Sequence, residues 1–303
     1  MHKPIIIIAG IGLALASAPP AQAERFIFKY ALTIHKDGAG KALRMPEGVA
    51  CKENGDILIA DSGNGRLVLF KYQNGELDAG KAIKLPKKIY PTHVEFGPKG
   101  DIFVLDRRGA RRIVRLDPNG KFRYFVTFKG LARLKDAVPS SFRVDAKGDL
   151  YVLNISANQI LITNGDGLFK RAIPLPAKEP VYTDLTVSKD GAIFVATGAS
   201  ARIYVARPGS KSFSLLTKDL SRYMSFGSHI VLDKSEKNIV VVDQHGDGLA
   251  ILDINGIYRG RKLTRGWRDS YVHFPAQICF GKREALILAD RNNNRVQIFN
   301  TAR

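Results

Sequence analysis

Asp61-Ser62-Gly63-Asn64-Gly65-Arg66, near the start of the chain, returns near its end as Asp290-Arg291-Asn292-Asn293-Asn294-Arg295. Each copy follows an apolar run that ends on its Asp, Ile57-Leu58-Ile59-Ala60 or Leu286-Ile287-Leu288-Ala289. Related runs end at Asp106, Asn154, Thr197 and Asp243, so six landmarks stand 45, 48, 43, 46 and 47 residues apart. A Gly-Asp or Asp-Gly turn precedes several runs, as at Gly55-Asp56, Gly100-Asp101, Gly148-Asp149 and Asp190-Gly191. Further turns follow the third run of each unit, among them Asn74-Gly75, Asn119-Gly120, Asn164-Gly165, Pro208-Gly209 and Asn255-Gly256. Short Val, Ile, Phe and Tyr runs between such turns, with no helical period, are strands and hairpins. Four strands per unit at a period near 46 predict an all-β, six-bladed β-propeller with four antiparallel strands in each blade.

Blade six runs out of chain at Phe299, before a fourth strand, while Phe26–Ile34 precedes blade one and belongs to no unit. This N-terminal segment is expected to close the last blade as its outer strand, removing an exposed edge.

The repeat Pro-x-x-Val, Gly-Asp, apolar run, Asp-x-x-Asn-x-Arg resembles the NHL repeat over nearly all of Met45–Phe299. The resemblance implies the propeller and leaves activity open, because this repeat serves enzymes and scaffolds alike. In the amidating lyase of peptide hormones, an NHL-type propeller, the zinc histidines directly follow the blade Pro. Those positions here are Glu47, Thr92, Ser140, Thr183, Ser228 and Ala276, so that activity is not implied. Lactonase propellers use an acid-lined calcium centre, a poor match to a channel ring with one acid. Streptogramin lyases have seven blades against the six counted here.

The chain has 303 residues with 47 Lys+Arg, 28 Asp+Glu and a formal charge of +19. Its 45% hydrophobic content excludes a wholly disordered chain, and two cysteines exclude a disulfide scaffold or a Cys-based zinc module. Residues 1–23 read as a cleaved secretory signal: Lys3, the apolar run Ile5–Ala18, Pro19-Pro20 and small residues at Ala21 and Ala23. The 14-residue run would span only about 21 Å of a ~30 Å hydrocarbon core, which disfavours an anchor. The expected product is one propeller domain over 24–303 in the periplasm or outside the cell, with a monomer favoured. Segments 81–91, 107–135 and 259–268 hold 19 cations and one acid, Asp117, which is the whole excess charge left after residue 23.

Loops entering strand one and leaving strand two share a face, so two residue sets come together. The first, two positions after the blade Pro, is Gly48, His93, Ser141, Asp184, His229 and Gln277. A polar channel ring is the favoured reading of it. The alternative is a lyase or hydrolase using Asp184, His229 and His93 with Arg107 as an anion clamp, or a metal held by His93, Asp184, His229 and Gln277. His93 and His229 fall on opposed blades, which points to Asp184 and His229 as the better pair. No cofactor is otherwise expected.

The second set follows the landmarks. Asp61, Asp106 and Asp290 are each followed at the fifth position by Arg66, Arg111 and Arg295, a repetition that reads as structural pairing. Arg107, Arg108, His245 and Arg291 do not repeat and are candidate ligand contacts. The loop entering blade six adds Arg265, Trp267, Arg268 and Tyr271, and the loop entering blade two adds Lys87 and Lys88. Aromatic rings among cations suit stacking plus charge; Trp267 pinning its loop to the rim is the competing view. The leading expectation is a non-catalytic scaffold for an anionic polymer or an acidic protein or glycan surface. Nucleic acid is not an expected physiological partner of an exported chain. Cys51 and Cys279 sit on the first strands of neighbouring blades at adjacent repeat positions. Blades ~10 Å apart exceed disulfide reach, although they converge near the axis, so two free thiols are favoured over a bond.

Overall fold

A computed structural model describes residues 26–86, 89–109, 111–217 and 219–302. Residues 1–23, read as the signal, and Lys87 and Lys88 lie outside the described residues. Among those described, the helical pieces are short 3-10 turns, and no helix is long and apolar enough to cross a membrane.

Six antiparallel sheets form a ring. Their first strands, which face the axis, are Gly48–Cys51, Pro91–Phe96, Pro139–Val144, Tyr182–Val187, Gly227–Leu232 and Pro275–Phe280. The landmark runs are the second strands, such as Asp56–Asp61 and Leu286–Asp290. Six apolar clusters fill the ring, one between each pair of neighbouring blades. Ala50, Leu58, Leu67, Val94, Val104 and Val114, for example, join blades one and two. Strands buried on both faces explain why the runs are continuously apolar rather than alternating.

The N-terminal strand Ile27–Ile34 pairs antiparallel with Arg295–Ala302, from Ile27 opposite Ala302 to Ile34 opposite Val296, and completes blade six.

The landmark residues are fully buried and do the same task in five blades. The side-chain Oδ1 of Asp61, Asp106, Asn154, Asp243 and Asp290 accepts a backbone N–H from the loop entering strand one: Arg44, Tyr90, Val138, Phe226 and His273 respectively. In blade four Thr197 stands at the landmark, and buried Glu179 supplies a carboxylate to Ser200, Arg202 and Tyr204. Arg66 and Arg295 pair with Asp61 and Asp290 at 2.7 Å, as the repetition implies.

Blade two corrects that pattern. Its turn between strands two and three holds five residues, because Asp106 faces Arg112, whereas Asp61 faces Arg66 across four. Arg112 therefore pairs with Asp106, at 3.5 Å. Arg111 is displaced into the left-handed corner (φ +47°), which Gly65, Asn158, Ala201, Asp247 and Asn294 occupy in the other blades.

The expectation of free thiols is overturned. Cys51 and Cys279 form a disulfide with Cα atoms 5.8 Å apart. The first strands of blades one and six converge enough for Gln277 N to donate to the Glu47 carbonyl across the interface. Mid-sheet spacing therefore does not apply there.

Two outcomes follow. The native protein should show no titratable thiol. Cys51→Ser with Cys279→Ser should lower the unfolding free energy by at most about 5 kcal/mol, the chain-entropy bound for a closure of 228 residues. Two reactive thiols in a non-reduced preparation would contradict the bond. Asp290→Ala should cost about 3–5 kcal/mol in urea unfolding, because it removes the buried partner of a guanidinium whose side chain is 4% exposed and leaves it Asp269 at 3.4 Å and two carbonyls. Asp106→Ala should cost less, since the Arg112 side chain is 47% exposed; equal losses would refute this ranking.

Candidate functional site

The axis is lined in tiers. A bulge interrupts the first strand beside the ring residue in blades two to six, for example between Pro91 and His93 and between Gly227 and His229. A bulge re-aims the residue preceding it. Strict alternation would turn Thr92, Ser140, Thr183 and Ser228 away from the channel; instead they line its mouth beside Glu47 and Ala276. The ring residues His93, Ser141, Asp184, His229 and Gln277 form the floor, and Arg107, Arg111, Gln244, Val181 and Phe226 form the rim. Together they enclose a cup of 390 Å³.

The floor is a closed hydrogen-bond network built on Arg143, which sequence reasoning missed. Arg143 follows Ser141 by two residues on the same strand, so it occupies the next tier down. Its Nη1 donates to His93 Nε2 and Glu95 Oε1, both at 2.7 Å. Its Nη2 donates to Asp184 Oδ2 at 2.9 Å and to the Ile230 carbonyl at 2.8 Å. Asp184 also accepts from Ser141 and from Ile230 N, and its Oδ2 lies 2.7 Å from His229 Nδ1. Burial raises the Asp184 pKa, but Arg143 and then His229 outweigh it and hold the carboxyl far below the usual range. Burial pushes His93 down, toward the neutral ring that accepts from Arg143.

The opposition of blades two and five does not separate their histidines. The rings of His93 and His229 are 5.9 Å apart, and donor atoms of His93, Asp184 and His229 lie within 4.8 Å of one another. The set is nevertheless a poor metal centre. A guanidinium already stands among these donors, paired with Asp184 and with Glu95 one tier down. Gln277 is occupied as well: its Oε1 accepts from Val49 N and Val94 N, and its Nε2 donates to the Val94 carbonyl. His229 Nε2 faces the Ile278 carbonyl at 3.0 Å, so neither of its nitrogens is left for a substrate.

The rim differs. Glu47 gathers Arg291 at 3.1 Å, the Tyr90 hydroxyl at 3.0 Å and Arg107 at 3.5 Å. Arg291 also lies over Phe274, and His245 stacks between Phe226 and Phe274 at 4.6 and 5.6 Å. Arg108 is exposed, with its backbone N–H on Asp106. Arg111 has no hydrogen-bond or ion-pair partner among the described residues.

In the loop entering blade six, the carbonyls of Gly266, Arg268 and Tyr271 accept from Asn293, Arg295 and Gln297. Those bonds pin the loop, so Trp267 is not the pin: it is 81% exposed, beside exposed Arg265, Arg268 and Tyr271. Arg265 approaches Asp247 only at 3.7 Å.

No protein-family model matches the chain, and no curated protein matches it in sequence. Solved propellers match its fold. Virginiamycin B lyase from Staphylococcus aureus superposes with a TM-score of 0.63 at 14% identity, over 91% of this chain and 99% of that one. Regucalcin, a calcium-binding protein from Agrobacterium tumefaciens, gives 0.63 at 12% identity, over 90% and 94%. The PQQ-bound aldose sugar dehydrogenase from Streptomyces coelicolor gives 0.63 at 14% identity, over 94% and 100%. At these identities the likeness is one of fold.

Arg143→Met should destabilise the protein by about 3–5 kcal/mol in urea unfolding, by leaving buried Asp184 and half-buried Glu95 without their counter-ion. Adding Asp184→Asn should recover part of that loss. An Arg143→Met protein within about 1 kcal/mol of wild type would mean that the floor is not held by this network.

Proposed function

We propose that this chain is an exported, non-catalytic NHL-type propeller that binds an anionic ligand through its strand-one-entry face. One contrast carries the reading. The acid–base groups of the floor are tied to Arg143 and to backbone, whereas the cations of the rim face solvent with few counter-ions. Arg107, Arg108 and Arg111 stand on one side of the mouth, and Arg265 and Arg268 flank an exposed Trp267 on the loop entering blade six. An exposed Trp on a loop fixed by side-chain hydrogen bonds is suited to stacking against a partner at little entropic cost. The repeat residues support the NHL assignment, and the apolar run before residue 23 supports export. The partner class is an anionic polymer or an acidic protein or glycan surface. Lys87 and Lys88 belong to the charged segment 81–91 of the sequence.

A second reading has one observation behind it, the Asp184–His229 pair with His93 alongside, which is the kind of set a lyase or hydrolase uses. A stoichiometric metal in the native protein that disappears in His229→Ala would favour it over binding.

Affinity for an anionic glycan or acidic protein should fall steeply between low and moderate salt, as expected for contacts between exposed charges. Replacing Arg265, Trp267 and Arg268 together with Ala should weaken it about tenfold or more while shifting stability by less than about 0.5 kcal/mol per site. Binding that ignores both salt and this replacement would sink the proposal.

A further inference from the structure

The channel mouth is a dead end. Arg143 and Glu95 close it below the ring of Asp184 and the histidines, and a separate cavity of 290 Å³ lies beyond Arg143 toward the other face. A polymer cannot thread such a channel. A 390 Å³ cup lies at the small end of the ~300–1,000 Å³ range of ligand sites and suits one monomer-sized unit.

Its lining is sided. Around the wall, Thr92, Ser140 and Ser228 direct their hydroxyl protons at the strand-two carbonyls of Leu105, Leu153 and Val242, each 3.4 Å away. Thr183 donates to the Gly227 carbonyl at 2.6 Å. A hydroxyl that spends its proton in this way keeps lone pairs for accepting, so the collar asks its ligand for O–H or N–H donors. At the rim stands the opposite demand. The extra turn residue of blade two puts Arg111 at the mouth, in the left-handed corner that Gly65, Asn158, Ala201, Asp247 and Asn294 fill in the other blades, so that a corner common to the repeat carries a cation in this blade. Burial, then the nearby Arg107 charge, pushes the Arg111 guanidinium below its ordinary pKa; two cations held together are relieved by an anion between them.

We propose that the cup binds one hydroxylated carboxylate, an acidic sugar unit free or at the end of a chain. Arg111 takes the carboxylate, and the Thr/Ser collar accepts the ring hydroxyl protons. This rests on the anion-binding reading and assigns it a ligand class and a selecting residue. A neutral sugar satisfies the collar but not Arg111. Inorganic sulfate satisfies Arg111 but offers the collar no donors.

The test is titration calorimetry of the protein with D-glucuronate, D-glucose and inorganic sulfate, at low and moderate salt. Wild type is compared with Arg111→Asn and Arg111→Lys. Asn suits the left-handed corner, so the turn is retained, and thermal melting checks that it is. Glucuronate should bind saturably, with glucose and sulfate at least about tenfold weaker. Arg111→Asn should lose about tenfold or more, and Arg111→Lys should restore only part, because an ammonium cannot fork onto a carboxylate. Equal binding of glucose, equal binding of sulfate, or an unchanged Arg111→Asn protein would overturn the inference, as would no binding of glucuronate. In that last case, salt-sensitive retention of wild type on an anionic-glycan matrix would leave the broader reading standing, and loss of retention would remove both.

Discussion

A buried side-chain oxygen at the end of each second strand holds this molecule in shape. A propeller blade is an ordinary meander, and nothing in a meander fixes how the chain arrives at its innermost strand. Here the landmark Asp or Asn reaches back and takes a backbone N–H from that arriving loop. A backbone bond runs beside it, in blades two to five from the residue just past the landmark to the carbonyl just before strand one, as in Arg107 N to Tyr90 O. In blades one and six it runs from the second residue past the landmark, as Gly63 N to Arg44 O and Asn292 N to His273 O. The carboxylate is excluded from water, so its charge is neutralised by donors converging from two loops. Those two loops are the ones that border the cup. The geometry of the cup is thus inherited from a folding device, and the site's precision is set by residues that never touch its interior.

The same economy governs the axis. Six first strands converge too tightly for a wide water column, and the chain fills the space with one guanidinium. Arg143 carries a positive charge to the centre, where Asp184 and Glu95 answer it and both histidines pack against it. The histidines and Asp184 are thereby tied into one hydrogen-bond network. Polar residues around a symmetry axis are an unreliable sign of catalysis for this reason, and the free valences at the rim carry more information than the titratable groups beneath them.

Much of this was legible in the residues. The spacing of Asp61, Asp106, Asn154, Thr197, Asp243 and Asp290 contains the blade count, and the unassigned Ile27–Ile34 contains the closure. The ring residues His93, Ser141, Asp184, His229 and Gln277 do come together, as the floor of the cup one tier below its mouth. Three things were hidden. The bulges that turn Thr92 and its equivalents inward leave no mark in composition, because a bulge is a pairing irregularity rather than a residue type. The extra residue before Arg112 is visible as a count, yet a fixed five-residue spacing assigned Arg111 to the wrong partner. Arg143 and Glu95, opposite charges in the tier below the ring, were readable by extending the alternation two residues further. The convergence that joins Cys51 to Cys279 depends on how six sheets tilt toward an axis, which no local pattern states.

That covalent join has a consequence for biosynthesis. Its two sulfurs are separated by 228 residues, and Ile27–Ile34 finds its hydrogen-bonding partners in Arg295–Ala302. During translation Ile27–Ile34 has nowhere to dock until Arg295–Ala302 has been made, so the ring closes across this seam only after the strands between them exist. Contacts of such high sequence separation are slow to form, and until they do, the edges of blades one and six lie open. The cystine records that the seam has met: a chain truncated anywhere before residue 279 cannot make it, and carries an unpaired thiol as the chemical mark of an unfinished ring.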